Sequence, residues 1–134
     1  VFLDHVDEDY AKQIDALKAM GIGIEIDDFG TGHASIAGVL ALRPDRLKID
    51  RMFTSDIDSK PAHRDLMRGL IEMATSAGAA TVVEGVETEA EAKILSDLGA
   101  DVLQGYAFAR PMDRDSFLAW AQDWNSGQSF MQAG

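Results

Sequence analysis

A strand that changes character at its end sets most of what this chain can fold into. Ile22, Ile24 and Ile26 alternate with Gly23, Glu25 and Asp27, and Asp28, Phe29 and the loop Gly30-Thr31-Gly32 follow. Such a period of two marks a β-strand with one apolar and one polar face. The apolar face must be covered, while the other face ends in a carboxylate, Asp27, and Asp28 follows immediately. Two carboxylates crowded before a flexible loop repel each other. A divalent cation relieves that repulsion, and hard oxygen donors of this kind suit Mg²⁺ or Mn²⁺. Taken alone, the pair has a plainer reading, in which Asp27 is solvated and Asp28 starts the turn, because acidic pairs are usually exposed.

The rest of the chain repeats a helix-then-strand rhythm. Asp7 is placed to cap a helix running to Met20 with the stripe Tyr10, Ile14 and Leu17, and Gly21 ends it. Ile36, Val39 and Leu40 suggest a short helix that stops before Arg43-Pro44. A second strand follows at 46–50, with Leu47 and Ile49 on one face and Lys48 on the other. A helix over about 62–77 carries the stripe Leu66, Leu70, Met73 and Ala77, and Gly78 closes it. Strands are expected near 80–84 and 101–104, separated by a helix that opens on the capping box Thr88/Glu91 and ends at Gly99. A last helix with Phe117, Ala121 and Trp124 inward precedes an aperiodic tail, 125–134, so the folded unit is read as 1–124. Alternation of this kind implies an α/β fold with a parallel sheet, either half of a TIM-like barrel or a small open sheet.

Composition narrows the function. The chain has 134 residues, no cysteine and a net charge of −11. That excludes disulfides and thiolate metal sites, fits a reducing, cytoplasmic setting, and argues against a grip on nucleic acid polymers, which needs a basic surface. No apolar run is long enough to span a membrane, and the first residues lack the basic and apolar regions of a signal peptide. Each expected strand ends in a polar group: Asp27 with Asp28, Lys48, Glu84 and Gln104. In a parallel sheet these C-terminal ends lie side by side, which is where such folds place their chemistry. Acids converging with one lysine suit metal-assisted phosphoester hydrolysis. Individually the residues stay ambiguous. Lys48 could be a salt-bridge partner, Glu84 a helix cap, Glu87 a solvated first-turn acid, and His33 a loop or helix-start residue.

Four motifs in order, Asp27-Asp28-Phe29-Gly30-Thr31-Gly32, Leu47-Lys48-Ile49-Asp50, Val83-Glu84-Gly85-Val86-Glu87-Thr88 and Gln104-Gly105-Tyr106, resemble the EAL-domain family. These are cyclic-di-GMP phosphodiesterases built on a modified βα barrel. The resemblance implies Mg²⁺ or Mn²⁺ held by Asp27 and Asp28, Lys48 beside the metals and the attacked phosphate, and Glu84 as general base for the attacking water. It implies a supporting acid at Glu87, a contact near metal and substrate at Gln104, and a mobile loop at Gly30, Thr31 and Gly32. The implied reaction is hydrolysis of cyclic-di-GMP to linear pGpG. The family's naming Glu-Ala-Leu motif, a metal-binding Asn and a further Glu fall outside this chain, which therefore resembles the C-terminal half of the domain. His33-Ala34 stand where the family usually has Tyr-Ser.

Half a barrel leaves sheet edges and apolar surface to be covered, so pairing with a second copy or with the remaining half is expected. The alternative to the enzyme is a non-catalytic EAL domain that acts as a cyclic-di-GMP receptor or regulatory scaffold. A kinase Asp-Phe-Gly loop at 28–30 fails on context, since neither a glycine-rich loop nor a His-Arg-Asp motif accompanies it.

Overall fold

The computed structural model describes residues 8–32 and 36–126. The Asp7 cap, His33 and the tail beyond Ser126 lie outside them. The elements alternate: α1 (Glu8–Ala19), β1 (Glu25–Phe29), α2 (Ile36–Leu42), β2 (Arg46–Ile49), α3 (Pro61–Ser76), β3 (Ala80–Val83), α4 (Glu89–Asp97), β4 (Val102–Leu103) and α5 (Arg114–Asn125), with a 3₁₀ turn at Arg51–Phe53 after β2. All three strand pairings are parallel and the sheet order is β1-β2-β3-β4. An order without reversal separates the two architectures left open by the sequence. A doubly wound sheet changes direction at a switch point, whereas right-handed crossovers that all step the same way put every helix on one face, as in a barrel. This is the α/β, TIM-barrel-like arrangement expected.

Gly21, Gly78 and Gly99 all take left-handed backbone where the sequence ends a helix. Thr88 and Glu91 form the expected capping box of α4, and Asp113 caps α5 by accepting from the Ser116 amide at 2.9 Å. The core lies between sheet and helices, with Leu47, Ile49, Val83, Met67 and Leu95 fully enclosed. The α3 stripe sits one residue further along than its periodicity suggests: Met67, Leu70, Ile71 and Ala74 face inward, while Leu66 is 50% exposed. Burial of Met67 contributes about 1.5–3 kcal/mol that Leu66 does not. In α5, Phe117 also stands outward at 50% exposure. The helix is instead held by an aromatic run, Phe117–Trp120–Trp124, whose last ring meets Phe108 edge-on at 6.1 Å.

Two aspartates brace the sheet at the strands' N-terminal ends. The Asp45 carboxylate accepts from the Ile24 amide at 2.6 Å, joining the entries to β1 and β2. Asp101 accepts from both the amide (2.8 Å) and the hydroxyl (2.9 Å) of buried Thr81, while its own amide donates to that hydroxyl, tying β4 to β3.

Candidate active site

The two carboxylates of β1 reach the same side because the strand breaks its own alternation. Glu25 and Ile26 pair in step with Arg46 and Leu47, but Phe29 pairs with Ile49, so the register shifts between Ile26 and Phe29. Asp28 takes a left-handed backbone, φ 53°, inside this bulge. A bulge lets two successive residues stand on one face. Asp27 and Asp28 are accordingly both exposed, with Ile26 and Phe29 buried on either side. The Thr31 amide (3.2 Å) and hydroxyl (2.8 Å) both donate to the Asp28 carbonyl, and the Asp28 amide donates to the Asp27 carboxylate at 3.0 Å. Asp is among the few side chains that tolerate this backbone region.

Lys48 projects from the neighbouring strand and joins two of the predicted residues. Its ammonium lies 2.9 Å from Asp27 Oδ1 and 2.6 Å from Glu84 Oε1. Glu84, and after it Asp27, holds the Lys48 ammonium above the ordinary lysine range. Lys48 in turn holds the Asp27 carboxyl below its usual range. Lys48 is thus a salt-bridge partner, and the bridge it makes spans the strand ends of β1, β2 and β3. Glu84 is not a helix cap, because Thr88 fills that role.

The segment bearing Glu84 is clamped between two neighbours. The Glu84 amide donates to the Ile49 carbonyl at 3.0 Å. The hydroxyl of buried Thr54 lies 2.8 Å from the Arg51 carbonyl and 3.3 Å from that of Glu84. On the other side, Gln104 donates to Val83 at 2.9 Å, Val86 donates to Gln104 at 3.1 Å, and Ala107 donates to Val86 at 2.9 Å. The approach is so close that a Cβ on Gly105 would stand 2.1 Å from the Val86 carbonyl oxygen, and one on Gly85 would stand 2.2 Å from Arg51 Cβ.

A cavity of about 260 Å³ opens here, lined by Asp50, Arg51, Glu84, Gly85, Glu87, Gln104, Gly105 and Tyr106. Of the predicted residues, Glu84, Glu87 and Gln104 share it. Lys48 links Glu84 to Asp27. Asp28, Thr31 and Gly32 belong to the bulge and its loop and do not line this cavity. The sequence reading assigned no role to Asp50, Arg51 or Tyr106. Asp50 caps the 3₁₀ turn by accepting from the Met52 amide at 2.8 Å, which carries Arg51 to the rim. Arg110 stacks on the Tyr106 ring at 4.5 Å. The signal that could have found them is position: Asp50 and Tyr106 close two of the motifs, and Arg51 follows the first of these.

The donors present suit a hard divalent cation in kind, since Asp27 and Asp28 offer exposed carboxylates side by side. They are short in number. Among the described residues no three acidic or histidine side chains gather into a metal site.

A one-directional parallel sheet with acids, a lysine and an amide at its C-terminal ends defines a barrel-type site. The EAL domain family model matches residues 2–111, and the chain belongs to that family. The probable cyclic di-GMP phosphodiesterase PdeN of Escherichia coli is 37% identical over 118 residues, covering 87% of this chain and 23% of PdeN. A solved structure of the PaMucR phosphodiesterase in complex with c-di-GMP superposes with a TM-score of 0.73 at 34% identity, covering 82% of this chain and 44% of that one. A Klebsiella pneumoniae BlrP1 complex with manganese and cyclic-di-GMP gives 0.68 at 30% identity, covering 78% of this chain and 26% of that one. The chain spans less than half the length of each of these relatives.

Proposed function

We propose that this chain supplies the base, the lysine and two metal-binding carboxylates of a phosphodiesterase that opens cyclic-di-GMP to linear pGpG. The observation that carries the reading is the Lys48 bridge, which gathers Asp27 and Glu84 at adjacent strand ends beside the cavity. The relatives named above, with c-di-GMP in their printed names and manganese in one, support the substrate and the cation class. Residues 1–124 would form the C-terminal half of the domain, with the remaining ligands supplied by the other half and the site facing the cytoplasm.

In this reading Asp27 and Asp28 would hold Mg²⁺ or Mn²⁺, which would supply Lewis-acid stabilisation of the phosphate oxygens. Glu84 receives the proton of the attacking water. Its Oε1 is occupied by Lys48, so Oε2 is the oxygen left to take that proton. A bond forms from the water oxygen to phosphorus as the bond from phosphorus to the 3′ oxygen breaks, and the released 3′ oxygen takes up a proton from solvent to become the 3′ hydroxyl of pGpG. Lys48 balances the charge gathering on the phosphate. Gln104 offers an amide donor at the cavity wall, and Glu87 stands beside it at the mouth of α4.

The test is substitution in the full-length protein, read by chromatographic conversion of cyclic-di-GMP. Glu84→Gln should lower kcat by about 10²–10⁴ with KM little changed. Asp27→Asn should weaken metal binding and turnover together, and excess Mn²⁺ should recover part of the loss. A Glu84→Gln protein that keeps its full rate removes Glu84 from the role of base. A wild-type protein that binds cyclic-di-GMP without cutting it points to a receptor.

A further inference from the structure

We infer that Lys48 is a resident competitor for the metal: its ammonium holds the Asp27 and Glu84 carboxylates, and a cation must draw Asp27 against it in order to bind. The inference rests on the reading of Asp27 as a metal ligand. Lys48 contributes its charge at 2.9 Å from Asp27 Oδ1 and 2.6 Å from Glu84 Oε1, from a side chain only 20% exposed. In that setting the ammonium is poorly screened, while the Asp27 side chain is 64% exposed and open to solvent ions. The lysine therefore does for these two carboxylates what a cation would do: it neutralises acids that would otherwise repel each other.

Two effects then act against an incoming divalent ion. Part of the charge of Asp27 is already spent on Lys48, and a fixed positive charge stands within a few ångströms of where the ion must sit. Removing the lysine relieves both. The lysine that serves the phosphate during catalysis thus weakens the metal site, and one substitution should move metal affinity and turnover in opposite directions.

The experiment titrates Mn²⁺ into the full-length protein and follows the electron paramagnetic resonance signal of the free ion. Wild type, Asp27→Asn, Lys48→Met and Lys48→Arg are compared, each checked for folding by circular dichroism. Lys48→Gln replaces the Met variant if that one does not fold. Asp27→Asn should weaken Mn²⁺ binding, which establishes the ligand independently of any activity. Lys48→Met should tighten binding about tenfold, and Lys48→Arg, which keeps the charge, should stay close to wild type. Unchanged or weaker binding in the Met and Gln variants overturns the inference while leaving the metal site intact. Undiminished binding in Asp27→Asn overturns both.

Discussion

Gly105→Ala isolates what holds the site together. A Cβ at this position would lie 2.1 Å from the Val86 oxygen, 2.4 Å from its nitrogen and 2.7 Å from its carbonyl carbon. A carbon and a carbonyl oxygen settle no closer than about 3.3 Å, so the two segments must part by about 1.2 Å. All the offending atoms are backbone, and no side chain can rotate away. The hydrogen bonds from Val86 to Gln104 at 3.1 Å and from Ala107 to Val86 at 2.9 Å lie across this contact and cannot survive such a shift. Overpacking of this kind costs about 1–3 kcal/mol, and each lost bond adds roughly 1 kcal/mol. Because Val86 lies between Glu84 and Glu87, the displacement carries into the site, and a misplacement near 1 Å lowers turnover by about 10²-fold. Gly69→Ala in α3 is the matched control: its Cβ would meet nothing within 4 Å, and it should stabilise by about 0.5–1 kcal/mol. Thermal melts and steady-state kinetics on both variants settle the matter. A Gly105→Ala protein with wild-type melting temperature and turnover would refute the close-approach argument.

Asp101→Ala should destabilise the fold by about 1–3 kcal/mol, because it leaves the buried Thr81 hydroxyl and amide without their acceptor; chemical denaturation measures it, and turnover per folded molecule should not change. Acid should loosen the strand-end bridge at Asp27 only well into the acid range. Its folded-state carboxyl lies below the ordinary value of 3.8, so its stabilising share is complete above that pH and is lost as pH falls through the lower folded value. Carboxylate-resolved nuclear magnetic resonance should show Asp27 titrating below 3.8, and Lys48→Met should return it toward that value. Lys48 behaves oppositely: its raised folded-state value makes its share complete below the ordinary lysine range and lost only as alkali passes the folded value.

The strand ends were legible because their code is local. Period two, a closing acid and a following glycine locate Asp27, Glu84 and the sheet without any knowledge of neighbours. The helix caps at Thr88 and Gly99 were legible for the same reason. The bulge was not. Strict alternation from Ile26 sends Asp28 to the apolar face, and only the shifted pairing of Phe29 with Ile49 shows that both acids face out. The α3 stripe failed for a related reason. Leu66 and Met67 both satisfy helical periodicity, and the choice between them depends on what the helix packs against. Tyr106 and Arg51 carried no expected role because their place on the cavity follows from the turns after β2 and β4, whose course is set by contacts between segments far apart in sequence.

The aspartate braces divide labour along the sheet. Asp45 and Asp101 fix where neighbouring strands begin, so alignment is decided at the end away from the acids, the lysine and the amide. Changes at the strands' C-terminal ends therefore leave these two anchors in place. Strand alignment is thereby set apart from the acids, and replacing one of those acids would leave the sheet's register in place.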